Sequence, residues 1–126
     1  MAKIIYIVED DDTLRTVLAE KLKSSGYEVG EATNGEEGLA LMRKKRPDVV
    51  LLDIMMPIMG GMQTLEHMQK DESLKTIPVV VISNSGQPVE VEEAQRLGAR
   101  DFLIKAAFDP EEVLEKVKKQ LGEEQA

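Results

Sequence analysis

Cysteine is absent from this sequence of 126 residues, and histidine occurs once, as His67. The lack of cysteine excludes a disulfide framework, a thiolate metal site and a cysteine nucleophile. A single histidine cannot form a histidine-rich metal site, and we interpret His67, which lies on a predicted amphipathic helix, as a surface or packing residue. Any metal site in this chain is therefore expected to be built mainly from oxygen ligands.

Aromatic residues and long hydrophobic runs are also scarce. Aromatics make up 3% of the chain, so aliphatic residues and methionine must form the core. The apolar run that begins at Ile4 leaves no room for a signal peptide, and no run reaches transmembrane length. The formal net charge of −8 argues against nucleic acid or anionic lipid as the main partner, because phosphate groups favour clustered Lys and Arg. We therefore expect a cytoplasmic protein that engages no nucleic acid and no membrane.

The length and the hydrophobic content bound the number of domains. With 126 residues, of which 42% are hydrophobic, the chain can fold around one core and is too short for two. Residues 1–122 are predicted to form this domain, and residues 123–126 are predicted to be a short C-terminal tail.

Short runs rich in β-branched residues alternate with amphipathic stretches along the chain. The predicted strands are Lys3–Val8, Tyr27–Ala32, Asp48–Leu52, Pro78–Ile82 and Arg100–Ile104. The first, third and fourth runs are continuously apolar, which is typical of strands buried on both faces of a parallel sheet. The second and fifth runs are more mixed and suit the two edges. The alternation predicts an α/β fold in which a doubly wound parallel sheet of five strands is covered by five helices.

Residues that start and stop helices fall between the predicted strands. The signals are, in chain order, Gly26 after the first helix, Asn34 and Glu37 as a capping box before the second, Gly60 and Gly61 before the third, Pro88 and Gly98 at the two ends of the fourth, and Asp109, Pro110 and Glu112 before the fifth. Asp11 and Asp12 can each cap the first helix, and we favour Asp12. These signals predict one helix after each strand.

Polar or charged side chains follow the strands at the points where the strands end. These residues are Glu9 and Asp10 after the first strand, Asp53 after the third, Ser83 after the fourth and Lys105 after the fifth. Taken singly, each has a simpler explanation as a helix cap, a turn residue or a surface charge. Their shared position favours a common site, because ligands of open parallel sheets bind outside the carboxyl ends of the strands.

The residue types at this edge indicate phosphoryl chemistry. Clustered carboxylates repel one another and need raised pKa values or a cation, and oxygen ligands without His or Cys suit Mg²⁺. A carboxylate beside such a cation, here Asp53, can attack phosphorus and form an acyl phosphate. Lys105 and Mg²⁺ would neutralise the phosphoryl oxygens, and the Ser83 hydroxyl can donate a hydrogen bond to them.

Four segments of the chain carry a resemblance to a known family. They are, in order, IVEDD, LLDIMMP, the final Ser of VVVIS, and DFLIK. At these segments the chain resembles the receiver domain of bacterial two-component response regulators, and the resemblance covers essentially the whole chain. It implies a flavodoxin-like sheet with the strand order 2-1-3-4-5.

The resemblance implies a role for each residue of the cation and phosphoryl site. Asp53 is the expected phosphoacceptor and a metal ligand, and Lys105 is expected to pair with the phosphoryl group. Asp10 is expected to bind Mg²⁺ directly and Glu9 mainly through water. The backbone carbonyl of Met55 is expected to supply a further ligand.

The resemblance also implies a switch and its partners. Ser83 and Phe102 stand at the family's two switch positions, so phosphorylation is expected to alter the surface formed by the fourth helix, the fifth strand and the fifth helix. The expected phosphodonor is a histidine kinase or a phosphotransfer protein, and the expected reader is an unknown output protein or a second copy of this chain. Such a stand-alone receiver catalyses only its own phosphorylation and dephosphorylation, and we do not class it as an enzyme.

Two departures from the family pattern lie beside the site. Ala106 follows Lys105 where the family usually has proline. Because a cis bond before a residue other than proline costs roughly 2.5–4 kcal/mol, we expect a trans Lys105–Ala106 peptide. Asn84 stands where the family favours a small residue, and we expect it to change the access of water to the phosphoryl group.

Three other functions fit parts of the pattern. A Mg²⁺-dependent aspartyl-phosphate phosphatase of the haloacid dehalogenase type has its nucleophile after the first strand and a second Asp two residues later, whereas Asp53 follows the third strand and is followed by Met55 at that spacing. A flavodoxin-like carrier would present a flavin phosphate to Ser, Thr and Gly, but Glu9, Asp10 and Asp11 would repel that phosphate. A docking module that has lost phosphorylation is disfavoured because Asp53, Asp10 and Lys105 are all present.

Overall fold

The computed structural model describes residues 2–84, 86–105 and 109–123. Within these ranges five strands alternate with five helices. The elements are, in chain order, β1 (Ile4–Val8), α1 (Asp12–Ser24), β2 (Glu28–Ala32), α2 (Gly35–Lys44), β3 (Val49–Asp53), α3 (Gly61–Gln69), β4 (Val79–Ser83), α4 (Pro88–Arg96), β5 (Asp101–Ile104) and α5 (Pro110–Leu121). Every strand begins one residue later than the sequence predicts, and β3 and β4 each extend one residue further, to Asp53 and Ser83.

The strands form one parallel sheet in the order β2-β1-β3-β4-β5. This order confirms the predicted doubly wound, flavodoxin-like α/β fold, with the two mixed runs at the edges. The register aligns Val8 with Leu52, Asp53 with Ile82 and Ser83 with Ile104. The carboxyl ends of β1, β3, β4 and β5 therefore meet at one edge of the sheet.

The core consists of two layers, one on each face of the sheet. Successive residues of a strand face opposite sides, so Leu52 belongs to the cluster with Leu65 of α3 while Leu51 belongs to the cluster with Val117 of α5. The first cluster also contains residues of α2 and α4, and the second contains residues of α1. Burial of each such aliphatic side chain contributes roughly 1.5–3 kcal/mol, which holds the strand ends in fixed positions.

The N-terminus of α1 differs from the prediction. Asp11, not Asp12, is the N-cap: its backbone is extended and its Oδ1 accepts a hydrogen bond from the Leu14 amide at 3.1 Å. Asp12 is the first helical residue and its carboxylate pairs with Arg15 at 2.5 Å. The favoured assignment of Asp12 as the cap is wrong because the helix begins at Asp12, one residue earlier than that assignment requires.

The structure contains the predicted N-cap of α2, but the second hydrogen bond of the predicted capping box is replaced by another. Asn34 accepts a hydrogen bond from the Glu37 amide at 3.0 Å. The Glu37 carboxylate, however, accepts from the amide and the hydroxyl of Thr33, both at 2.8 Å. Only the Asn34 half of the capping box is therefore formed, and the other half binds the preceding residue.

The last helix begins and ends as its sequence signals indicate. Asp109 accepts a hydrogen bond from the Glu112 amide at 2.9 Å, and Gly122 ends the helix with φ of 73°, in the left-handed region that glycine favours. The boundary between domain and tail at residue 122 stays a prediction. Of the helices in the described ranges, none is both long enough and apolar enough to cross a bilayer.

Candidate functional site

Three carboxylates meet at the carboxyl edge of the sheet. Glu9 and Asp10 directly follow β1, and Asp53 is the last residue of β3. One carboxylate oxygen of each lies within 4.8 Å of those of the other two. Glu9 and Asp53 are 0% and 2% exposed, whereas Asp10 is exposed to solvent. The cluster is therefore a buried pair of acidic groups with a third carboxylate at its opening.

Lys105 supplies the positive charge of this cluster. Its Nζ lies 2.9 Å from Glu9 Oε1 and 3.0 Å from Asp53 Oδ2, and it donates a hydrogen bond to Glu9 Oε2 at 3.2 Å. The Lys105 backbone amide donates to the carbonyl of Ser83, the last residue of β4, at 2.6 Å. Lys105 is thus held both by the ion pairs of its ammonium group and by the hydrogen bond of its backbone amide.

Burial dominates the protonation of Glu9. Loss of solvent raises the pKa of Glu9 from 4.5 to about 7; hydrogen bonds from Asp11 and Lys105 oppose this shift, and Asp53 adds to it. Burial lowers the pKa of Lys105, but its contacts with Glu9 and Asp53 outweigh burial and raise that pKa overall. Without a cation, burial therefore favours the protonated form of Glu9 more than it would be favoured in an exposed carboxyl group, while Lys105 stays charged.

The donor set fits a hard divalent cation. Among the described residues, Glu9 Oε1 and Asp53 Oδ2 are the buried side-chain oxygens that have no hydrogen-bond partner, although both contact the Lys105 ammonium. Buried acceptors of this kind are costly when unsatisfied, and a cation would satisfy them. Because the donors are carboxylate oxygens, with no nitrogen or sulfur, the site suits Mg²⁺ or another oxygen-preferring ion.

Arg15 holds the backbone of the acidic loop, and sequence reasoning did not identify it. Its guanidinium donates to the Glu9 carbonyl at 2.8 Å, to Asp12 at 2.5 Å and to Glu31 of β2 at 3.2 Å. The contact with Asp12 is the main cause that raises the pKa of Arg15. A basic residue in the first turns of a helix opposes the helix dipole, and this mismatch is the sequence signal that could have indicated a specific contact.

The loop after β3 packs tightly against the backbone of Asp53. A Cβ atom on Gly61 would lie 2.3 Å from the Asp53 carbonyl oxygen, so only glycine fits there. Ile58 has a φ of 68° and is 76% exposed, an unfavourable conformation for a β-branched residue. The Met55 side chain is 69% exposed, and the role of its carbonyl as a metal ligand stays a prediction.

Ser83 and Phe102 differ in their surroundings. Ser83 is 3% exposed, and its hydroxyl donates a hydrogen bond to Glu90 Oε1 of α4 at 2.9 Å. Phe102 is half-buried and packs against the core cluster to which Ala94 of α4 and Ala99 belong. Sequence reasoning named both residues as switch candidates but missed Glu90, because periodicity does not show which α4 side chain meets β4.

The structure thus brings four of the predicted residues into one cluster. They are Glu9, Asp10, Asp53 and Lys105. Ser83 ends the strand between Asp53 and β5, with its hydroxyl bonded to α4. The predicted trans Lys105–Ala106 peptide lies outside the described residues, because the described ranges stop at residue 105 and resume at residue 109.

Comparisons with known proteins agree on one kind of domain. The family model of the response regulator receiver domain matches residues 5–118. The PilH protein of Pseudomonas aeruginosa is 40% identical over 105 residues, which cover 83% of this chain and 86% of that protein. The chemotaxis protein CheY of Thermotoga maritima is 39% identical over 121 residues, which cover 94% of this chain and 98% of that protein.

A solved structure extends this similarity to three dimensions. The crystal structure of the phosphorylated cyanobacterial phytochrome response regulator RcpA is similar to this chain with a TM-score of 0.82 and 30% sequence identity. The match covers 94% of this chain and 91% of that chain. Sequence and fold are therefore similar over nearly the same residues.

Proposed function

The chain belongs to the response regulator receiver domain family, whose model spans residues 5–118, and from that premise we propose that it accepts one phosphoryl group on Asp53 in a Mg²⁺-dependent reaction. The phosphodonor is a phosphohistidine of a histidine kinase or of a phosphotransfer protein. The output is a change in the surface formed by α4, β5 and α5, with Ser83 and Phe102 as its switch residues. Action in the cytoplasm and the absence of turnover on an external substrate are parts of the same proposal.

The observation that carries this proposal is the buried contact between Asp53 and Lys105 beside two further carboxylates. Asp53 is 2% exposed at the end of a central strand, and its Oδ2 lies 3.0 Å from Lys105 Nζ. A carboxylate held between an ammonium group and a cation site is a nucleophile whose product, an acyl phosphate, is stabilised by the same charges. Glu9, Asp10 and the Met55 carbonyl are the proposed remaining ligands.

The phosphoryl group is transferred directly from the donor histidine to Asp53. An Asp53 carboxylate oxygen attacks phosphorus, an O–P bond forms, and the N–P bond to the donor histidine breaks with its electron pair kept by the imidazole, which then takes up a proton. Mg²⁺, when bound, supplies charge neutralisation for the phosphoryl oxygens. Lys105 pairs with a phosphoryl oxygen, and Ser83 donates its hydroxyl hydrogen to another.

Two related proteins support this proposal. One was crystallised in a phosphorylated form, and another is a chemotaxis protein. Both are matched over more than nine-tenths of this chain. We infer that this chain also receives a phosphoryl signal, with a kinase and an output partner of its own.

Phosphorylation by a small phosphodonor tests the proposal directly. The protein is incubated with phosphoramidate, with Mg²⁺ or with EDTA, and its intact mass is measured. We expect one added phosphoryl group, only with Mg²⁺, in the wild type and in the control Asp71→Asn, because Asp71 lies two residues after the end of α3 and outside the carboxylate cluster. Asp53→Asn should take none. Equal labelling of Asp53→Asn and wild type would contradict the assignment, and steady hydrolysis of a generic phosphoester would favour the phosphatase alternative.

A further inference from the structure

The Ser83 hydroxyl is bonded to a side chain that has no place in the function proposed above. Ser83 ends β4 and is buried, and its Oγ donates to Glu90 Oε1 at 2.9 Å. Glu90 is the third residue of α4 and is itself half-buried. The bond therefore joins the carboxyl edge of the sheet to the first turn of α4.

A hydroxyl group has one hydrogen to donate. While that hydrogen is directed to Glu90, it cannot be directed to a phosphoryl oxygen on Asp53. Both acceptors carry negative charge, and hydrogen bonds to charged acceptors are roughly twice as strong as neutral ones. The two acceptors therefore compete for one donor, and the better one determines where Ser83 points.

We propose that Glu90 is a positioning residue that competes with the phosphoryl group on Asp53 for the Ser83 hydroxyl, so that phosphorylation releases the first turn of α4 from β4. This inference rests on the proposed function, because it requires a phosphoryl group at Asp53. It adds a residue to that function: Glu90 weakens phosphoryl binding and links α4 to the occupancy of the site.

The packing of α4 makes this bond important for its position. Across Pro88–Arg96, all of which the structure describes, Ala94 is the buried residue, whereas α3 buries Gly61, Thr64, Leu65 and Met68. The N-cap of α4 makes no side-chain hydrogen bond to the helix. The Glu90–Ser83 bond therefore connects a first turn that has no fully buried side chain to the end of β4, and loss of that bond removes this connection.

Two simpler accounts make different predictions. If Glu90 only repels the anionic phosphoryl group through its charge, its removal should strengthen phosphoryl binding whether or not Ser83 has a hydroxyl. If Glu90 only stabilises the fold, its removal should lower the melting temperature and leave phosphoryl binding unchanged. Competition for the hydroxyl predicts a gain in binding that requires Ser83.

A double-mutant cycle separates these accounts. Binding of beryllium fluoride, a phosphoryl analogue, is measured by calorimetry at saturating Mg²⁺ for wild type, Glu90→Ala, Ser83→Ala and the double variant. We expect Glu90→Ala to bind the analogue about threefold to tenfold more tightly than wild type, and the double variant to bind as Ser83→Ala does. Glu90→Gln keeps a neutral acceptor and should lie between wild type and Glu90→Ala. Glu92→Ala removes the same charge from an exposed position of the same helix and should bind as wild type does.

The outcomes distinguish this inference from the proposed function. Unchanged affinity in Glu90→Ala and Glu90→Gln, or an equal gain in the presence and absence of the Ser83 hydroxyl, would overturn the inference while leaving the proposed function intact. A folded wild type that binds no analogue would overturn both. Thermal melting of each variant checks that it is folded, and if Glu90→Ala does not fold, Glu90→Gln in the same cycle carries the test.

Discussion

At the residue scale, Glu9 is a buried carboxyl group whose pKa is raised by folding. Burial raises its pKa from 4.5 to about 7, so the folded protein binds more protons than the unfolded chain between these pH values. Stability falls with rising pH wherever the folded state binds more protons. A carboxyl group whose pKa is raised by folding, such as Glu9, therefore stabilises the fold least at high pH.

We expect the free energy of unfolding in EDTA to fall by about 1–3 kcal/mol as the pH rises from about 5 to 8. Urea unfolding at several pH values measures this slope. Glu9→Gln removes the titrating carboxyl group and should reduce the dependence of stability on pH. Glu66→Gln, at an exposed position on α3, should leave that dependence unchanged. Identical slopes for wild type and Glu9→Gln would show that another group causes the pH dependence.

At the scale of elements, Arg15 joins the end of β1, the first turn of α1 and the neighbouring strand β2. It contacts the Glu9 carbonyl, Asp12 and Glu31. We expect Arg15→Met to weaken Mg²⁺ binding by about threefold to tenfold, because the loop that presents Glu9 and Asp10 loses its anchor. Calorimetric titration of Mg²⁺ at low ionic strength measures the change.

The sign of the Arg15 effect identifies its cause. Removing a positive charge near a cation site should by itself strengthen Mg²⁺ binding, so weaker binding can come only from lost positioning. Lys23→Met, in the last turn of the same helix, removes an equal charge far from the acidic loop and should bind as wild type does. Tighter binding by Arg15→Met would mean that charge, not positioning, dominates.

The elements were more predictable from the sequence than their contacts. Continuous apolar runs indicate central parallel strands because both faces are buried, and this reasoning placed every strand and the edge that holds Asp53 and Lys105. The choice between Asp11 and Asp12 as the cap failed because neighbouring caps differ only in local backbone angles. Arg15 and Glu90 were missed because their contacts depend on how helices lie on the sheet, which hydrophobic periodicity does not specify.

At the scale of the whole molecule, a chain of net charge −8 folds with two acidic side chains buried beside each other. We expect Mg²⁺ to raise the melting temperature, because the ion binds the assembled site and not the unfolded chain. Asp53→Asn should raise the melting temperature in EDTA by about 2–6 °C, because repulsion of Glu9 is relieved while Lys105 keeps Glu9 as its partner.

Differential scanning calorimetry with and without Mg²⁺ checks both expectations. Asp71→Asn is the matched control for the change from acid to amide and should gain no stability in EDTA, since Asp71 accepts hydrogen bonds from Ser73. Superimposed melts of the wild type with EDTA and with excess Mg²⁺ would count against a cation site. A lower melting temperature for Asp53→Asn would mean that its ion pair with Lys105 outweighs the repulsion.

Lys105 is held in position by two separate sets of contacts, one from its backbone and one from its side chain. Its backbone amide binds the Ser83 carbonyl at 2.6 Å, and its ammonium group lies within 3.0 Å of two buried carboxylates. An orientation secured by two independent tethers survives changes that weaken one of them. A change that weakens one of these two contacts should therefore leave the Lys105 ammonium group beside Glu9 and Asp53.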